Sequence, residues 1–430
     1  MAGGNDFVVV ANRLPVDRTA SGWQASPGGL VAALAPVLRA HAGCWVGWPG
    51  EPDVDVEPFA FEGISLHPVT LSADDVENFY EGFSNSSLWP LYHDLIVAPR
   101  YAPEWWDAYE SVNRTFAAAA AEVAAEGATV WVQDYQLQLV PGLLKQARPD
   151  LTVGFFLHIP FPSPDIFRQL PWREEIIEGL RGCDLIGFQR EEDEQNFRAL
   201  VGGNGQCPRT GAFPISIDPE AIRPGAREDV DKLRERLGNP RTLMLGVDRM
   251  DYTKGILQRL LAVESLLEQG ALDSVAVVQL ATPSRERIEH YRLTRREVEE
   301  AVGRINGRFG TVGNPVVHYV HRPVPKSELG TYYAAADVML VTPFKDGMNL
   351  VAKEYVSCHP DGSGALVLSE FAGAAVELNR AQLCNPFDLE SIQQAILAAV
   401  AGDREAMLAM HARVMEFDVA RWARTFLEAL

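Results

Sequence analysis

Residues 248–255 read D-R-M-D-Y-T-K-G and follow directly on the apolar run 243–247. Arg249 and Lys254 therefore emerge together where a buried strand is expected to end, and a pair of cations at that place can clamp a phosphate. A second segment, D-G-M-N-L-V-A-K-E from Asp346 to Glu354, follows an expected strand at 338–341 and opens a helix. Glycine lets a ligand approach the backbone there, and the free N–H groups and dipole of a helix start favour an anion, so the amides of Met348, Asn349 and Leu350 are candidate ligands. Taken alone, an Arg/Lys pair is as well read as a solvated loop. Two cations and a helix start, each at a strand's carboxyl end, point instead to a diphosphate-bearing donor.

Other residues have chemistry at similar places. A-N-R-L-P-V follows the first expected strand, so Arg13 should point into a cleft. S-P-G-G-L precedes a helix, where Gly28 and Gly29 could close a loop over a phosphate or merely form a turn. In N-F-Y-E-G-F-S-N-S-S-L-W-P, Tyr80 and Trp89 could stack on a sugar or pack in the core. Trp45 and Trp48 pose the same choice, with Trp48 favoured because it lies nearer the strand end. Asp134, after the run 129–132, can fix sugar hydroxyls, act as a base or cap a helix. His158 ends a buried run and is placed to donate to a sugar hydroxyl. Arg285, in A-T-P-S-R, adds a third cation. Glu354 lies about two helical turns after Asp346, so both are expected on one side of that helix, where Glu354 could accept from a ribose hydroxyl pair or pair with a lysine.

Parallel sheets are the elements that would hold such residues. Short apolar, β-branched runs at 7–10, 44–47, 129–132, 152–157 and 185–188, then 243–247, 275–279, 316–320, 338–341 and 365–369, alternate with helical stretches. Strands apolar on both faces and separated by helices indicate parallel sheets covered on each side, here in two Rossmann-like halves. The break is expected between 201 and 239, and the alanine-rich stretch 116–125 reads as one helix. Ligands of open α/β sheets sit beyond the carboxyl ends of the strands, so the site is expected in the cleft between the halves.

The chain has 430 residues, 47% hydrophobic and 22% charged, which suffices for two domains of about 200 residues. Its formal net charge of −20 argues against nucleic-acid partners, since phosphate backbones are held by clustered Lys and Arg. No apolar run approaches the roughly 18 residues of a membrane span, and no secretory leader is evident, so a cytoplasmic, membrane-free protein is expected. Five cysteines without a C-x-x-C fit unpaired thiols in a reducing compartment. Metal-ligand spacing is absent, as are the glycine motifs of P-loop kinases and of dehydrogenases. Without a metal, Arg249 and Lys254 must neutralise the leaving diphosphate.

In this order A-N-R-L-P, S-P-G-G-L, G-F-S-N-x-x-L-W-P, W-V-Q-D-Y-Q, F-F-L-H-I-P-F-P, V-D-R-M-D-Y-T-K-G, T-P-S-R and D-G-M-N-L-V-A-K-E-Y resemble the trehalose-6-phosphate synthases of glycosyltransferase family 20, in their actinobacterial form. The resemblance spans nearly the whole chain. It implies a GT-B fold: an acceptor-binding domain at 1–215, onto which a C-terminal helix at 413–430 packs back, and a nucleotide-sugar domain at 216–412. It implies transfer of glucose from UDP-, GDP- or ADP-glucose to glucose 6-phosphate, giving α,α-trehalose 6-phosphate with retention and without a metal, by a homo-oligomer, either a dimer or a tetramer. Matching positions assign Arg13, Trp48, Tyr80, Trp89 and Arg285 to the acceptor, Asp134 and His158 to the transferred glucose, and Arg249 and Lys254 to the diphosphate. Gly28, Gly29, Asp346, Met348, Asn349, Leu350 and Glu354 complete the donor site. Gln133 and Gln136 stand where the bacterial pattern carries histidines, Lys345 replaces an arginine, and 191–211 is shorter than usual. A pseudo-glycosyltransferase joining a nucleotide-linked cyclitol to an aminocyclitol phosphate is the alternative.

Overall fold

The computed structural model describes residues 4–19, 22–26, 29–41, 43–201 and 207–430. The chain divides into two units, Met1–Ile215 with Val419–Leu430, and Ser216–Asp418. The strands of the first are β1 (Asn5–Arg13), β2 (Val16–Thr19), β3 (Gly22–Ala25), β4 (Cys44–Trp48), β5 (Phe59–Phe61), β6 (Ile64–Pro68), β7 (Ala124–Gln133), β8 (Thr152–Phe156), β9 (Leu185–Phe188) and β10 (Arg209–Ala212). Eight of them form one sheet in the order β10-β9-β8-β7-β1-β4-β6-β5, and β2 and β3 form a hairpin. Every pairing in the large sheet is parallel except β5 with β6. Val8, Val9 and Val10 of β1 are wholly buried, which is why an uninterrupted apolar run, and not an alternating one, marks a central strand.

The second unit carries β11 (Thr242–Arg249), β12 (Val275–Thr282), β13 (Val317–Val320), β14 (Val338–Val341), β15 (Ala365–Ser369) and β16 (Gln382–Cys384). Their order is β13-β12-β11-β14-β15-β16, parallel throughout. In each sheet the chain starts at the middle, builds outward on one side and then returns to the other. The order reverses between β1 and β7 in the first sheet and between β11 and β14 in the second. Such a switch point leaves a crevice at the carboxyl ends, because the two connections leave in opposite directions.

Several boundaries differ from the sequence expectation. The alanine-rich helix ends at Val123, and Ala124 already belongs to β7, where it pairs with Asn5. Arg13 and Arg249 are the last residues of their strands, so the ladder fixes their backbone directly. The aromatic stretch after Ser72 is a wide π-type helix, Val76–Leu88. The expected C-terminal helix at 413–430 is two helices, Arg404–Glu416 and Val419–Ala429, and only the second groups with the first unit. Its Phe426 stacks on Trp131 at 4.5 Å and Trp422 lies 5.0 Å from the Phe156 ring. Glycine makes room for it, since a Cβ at Gly187 would fall 2.7 Å from Phe426. Arg209 then donates to the carbonyls of Ala429 and Leu430 at 2.6 and 2.7 Å. Among the described residues no helix is long and apolar enough to cross a membrane.

Candidate active site

At the first unit's switch point, Arg13 extends from the end of β1 beside Trp48, its register partner at the end of β4. The guanidinium lies 5.0 Å over the Trp48 ring, within cation–π range, and its ion pair with Asp17 at 3.1 Å is solvent-exposed and contributes little. Tyr80 reaches the same ring from the wide helix, at 6.4 Å. Gly50 completes this group and was not singled out from the sequence. Its φ of +102° suits glycine, and a Cβ there would meet the Arg13 guanidinium at 2.1 Å. Trp45 belongs to the core, its indole donating to the Arg13 carbonyl at 2.9 Å. Trp89 is also buried; its ring stacks on His93 at 4.1 Å and meets that of Tyr135, the residue after Asp134.

Asp134 follows β7 with φ 73° and ψ 170°, a backbone region that is essentially glycine's own. The sequence left helix capping open for this residue. The structure turns the side chain elsewhere: it makes no capping bond and instead accepts from the His158 amide at 3.1 Å. A strained carboxylate held by the neighbouring strand's end is what functional sites store, at a cost of about 1–3 kcal/mol. His158 Nε2 lies 2.9 Å from Gln133 Oε1, and its ring sits 4.7 Å from Phe156 and 6.0 Å from Trp422. Burial pushes its pKa down to about 3, so the imidazole is neutral at pH 7. With Nε2 donating to Gln133 Oε1, Nδ1 is an acceptor. A neutral imidazole has one donor and one acceptor nitrogen, and in this arrangement Nδ1 is left as the acceptor.

In the second unit the cations converge on a residue that the motif reading passed over, Asp251. Its carboxylate is fully buried, 3.9 Å from Arg249 and 3.7 Å from Arg285. Tyr291 donates to it at 3.3 Å and lies 2.5 Å from the Arg285 Nη1. Burial would push the Asp251 pKa up, but the charges of Arg249, Arg285 and Lys254 and the Thr253 amide outweigh it and hold the group ionised. The only signal in the sequence was the second Asp of D-R-M-D. Behind it, Arg259 is wholly buried, bonding Asp248 at 2.7 Å, Thr342 at 3.0 Å and the Lys254 carbonyl at 2.8 Å.

Lys254 reaches Asp346 at 2.6 Å, and the Asn349 side chain donates to the same oxygen at 3.1 Å. The helix begins only at Leu350, capped by Asn349, whose side chain accepts from the Ala352 amide at 3.0 Å. Asp346 thus precedes the helix and does not share a face with Glu354, which corrects the two-turn expectation. Its turn is held by the loop after β15, another feature missed: Gly373 and Ala374 donate to the carbonyls of Asp346 and Met348 at 3.0 and 2.8 Å. A Cβ at Gly373 would collide with the Gly347 carbonyl at 1.9 Å. Met348 is buried. Glu354 accepts from the Tyr333 hydroxyl at 2.7 Å, in place of the lysine pair the sequence allowed, and burial pushes its pKa up. Gly29 opens the helix Gly29–Ala40, while Gly28 lies outside the described residues. Arg285 belongs to the second unit and the other acceptor candidates to the first. Among the described residues no group of three or more His, Cys, Asp or Glu is arranged to hold a metal ion.

Taken by itself, the first unit's cluster is aromatic with neutral hydrogen-bonding groups, and the second unit's is cationic. The chain is 55% identical to the trehalose-6-phosphate synthase of Mycolicibacterium smegmatis, covering 100% of this chain and 93% of that one, and 54% identical to that of Mycobacterium avium over 100% and 96%. The first alignment runs over 468 positions against 430 residues, so that relative has internal segments this chain lacks. Among solved structures, an α,α-trehalose-phosphate synthase (UDP-forming) from Burkholderia vietnamiensis superposes with a TM-score of 0.90 at 33% identity, covering 99% of each chain. The Escherichia coli enzyme bound with UDP-2-fluoro glucose gives 0.89 at 32%, covering 98% of each. The model of glycosyltransferase family 20 matches residues 5–430, and the chain, with its GT-B fold, belongs to that family.

Proposed function

We propose that the chain transfers glucose from a nucleoside diphosphate glucose to glucose 6-phosphate, giving α,α-trehalose 6-phosphate with retention at the donor carbon. The observation that carries the reading is the gathering of Arg249, Lys254 and Arg285 around one buried carboxylate at the carboxyl edge of the second sheet. Arg249 and Lys254 stabilise charge on the departing diphosphate; the amides from Met348 to Leu350 and the dipole of the helix they open add to it. Glu354 takes a hydroxyl pair of the ribose, and Asp346 fixes Lys254 and Asn349. Asp134 and neutral His158 hold hydroxyls of the transferred glucose. Arg13, Trp48, Tyr80, Trp89 and Arg285 bind the acceptor and its phosphate.

In the reaction, the bond between the glucose anomeric carbon and the leaving phosphate oxygen breaks. The anomeric hydroxyl oxygen of the acceptor bonds to that carbon from the same face, and its proton passes to the phosphate oxygen. The protein contributes orientation and preorganised charge. No metal is needed in this scheme, because side-chain cations neutralise the leaving group.

The relatives' shared name and a structure of the Burkholderia xenovorans enzyme in complex with glucose-6-phosphate support the sugar acceptor over an aminocyclitol phosphate. The test is product formation from glucose 6-phosphate with UDP-, GDP- and ADP-glucose in the presence of a chelator, with the anomeric configuration read by NMR. An inverted product, or none, overturns the reading. Assembly into a dimer or tetramer and a cytoplasmic location complete it; light scattering tests the first and cell fractionation the second.

A further inference from the structure

We infer that Asp251 is a positioning residue serving both substrates: its one buried charge is the common counter-ion of the donor cations Arg249 and Lys254 and of the acceptor cation Arg285. The assignment of cations to substrates rests on the function proposed above. The geometry divides the carboxylate's two oxygens. Oδ1 is occupied locally, accepting from the Thr253 amide at 3.0 Å and its hydroxyl at 2.9 Å. Oδ2 faces outward to Arg249 Nη2 at 3.9 Å, Arg285 Nη1 at 3.7 Å and the Tyr291 hydroxyl at 3.3 Å. Both arginine separations exceed hydrogen-bonding length, so Asp251 acts on the guanidinium groups by charge, with the Tyr291 hydroxyl, which takes a hydrogen bond from Arg285 Nη1, bridging to Oδ2. Lys254 is placed by the same residue through the backbone, its amide donating to the Asp251 carbonyl at 3.1 Å.

Three cations gathered in one crevice repel one another, and a rigid site needs that repulsion offset before any anion arrives. Asp346 bonds Lys254 directly. Asp251 faces both arginines, and its complete burial makes its charge act strongly at those distances. Removing this charge should therefore disturb two substrates at once, whereas removing a single arginine disturbs one.

The decisive variant is Asp251→Asn in the full chain, which keeps an oxygen for Thr253 and drops the charge. KM for donor and for acceptor should each rise at least tenfold, with the thermal midpoint measured alongside. Arg249→Ala should show its largest effect on turnover and Arg285→Ala on acceptor KM. If Asp251→Asn does not fold, Tyr291→Phe replaces it: losing the hydroxyl between Oδ2 and Arg285 should raise acceptor KM several-fold and leave donor KM unchanged. A folded Asp251→Asn enzyme with either KM unaltered overturns the inference, as does a Tyr291→Phe enzyme with normal acceptor KM. Failure of the functional reading looks different, because the unsubstituted chain would then make no product.

Discussion

The carboxyl edges of the two sheets are built with different physics. That of the first sheet is built from rings and one strained turn: Arg13 lies over Trp48, and Asp134 and a neutral His158 are tied to each other through the backbone. That of the second is an ionic lattice in which Asp251, Asp346 and Asp248 each hold cations. Neutral, directional groups suit hydroxyls, whose charge does not change in the reaction. A clustered, partly compensated set of cations suits a diphosphate whose charge grows as it leaves. In the proposed reaction, chemical work would be concentrated on one edge and orientation on the other.

The largest effect should come from the ionic edge. Arg249→Ala is expected to lower kcat by about 10²–10³-fold while weakening donor binding by less than about tenfold, read from nucleotide release and calorimetry. Equal losses in both would mean that this edge merely binds. Next, Gly50→Ala on the aromatic edge drives a methyl into the Arg13 guanidinium, and acceptor KM should rise roughly 10–100-fold, the worth of a charge-assisted hydrogen bond, with donor affinity unchanged.

The edges should also separate by pH. His158 has its folded pKa below its ordinary 6.5, so its contribution is complete above that value and is lost as pH falls toward about 3. The slope approaches about 1.4 kcal/mol per pH unit, and denaturant midpoints between pH 7 and 5 should flatten in His158→Asn. Asp251, also lowered, contributes above the ordinary carboxylate value of 3.8 and loses its share only as pH falls below that. A His158→Asn chain with an unchanged slope would remove the distinction. The smallest effect concerns strain: Asp134→Gly should be more stable than Asp134→Ala by about 1–2 kcal/mol, opposite to the usual ranking, with both inactive. Equal thermal midpoints would show that the turn at Asp134 stores nothing.

Much of this was legible in residue order. Apolar runs of β-branched residues marked the central strands of both sheets, because a strand covered on two faces must be apolar on two faces. The positions of Arg249, Lys254 and the D-G-M-N segment at or just beyond strand ends were legible because each follows an apolar run. Edge strands such as β5, β10 and β16 were not legible, being short and only partly buried. Asp251 escaped because an aspartate in a turn is ordinary until its burial is known, and Gly50 because a glycine after proline reads as a bend.

The sequence alone determined the kinds of chemistry available and the end of each strand at which they stand, since these depend on local composition and periodicity. The tertiary structure decided which strand ends are neighbours, that Oδ2 of Asp251 faces both Arg249 and Arg285, and that His158 stays neutral. Those outcomes depend on burial and on distances between residues remote in the chain, where Coulomb and desolvation energies change steeply with a few ångströms.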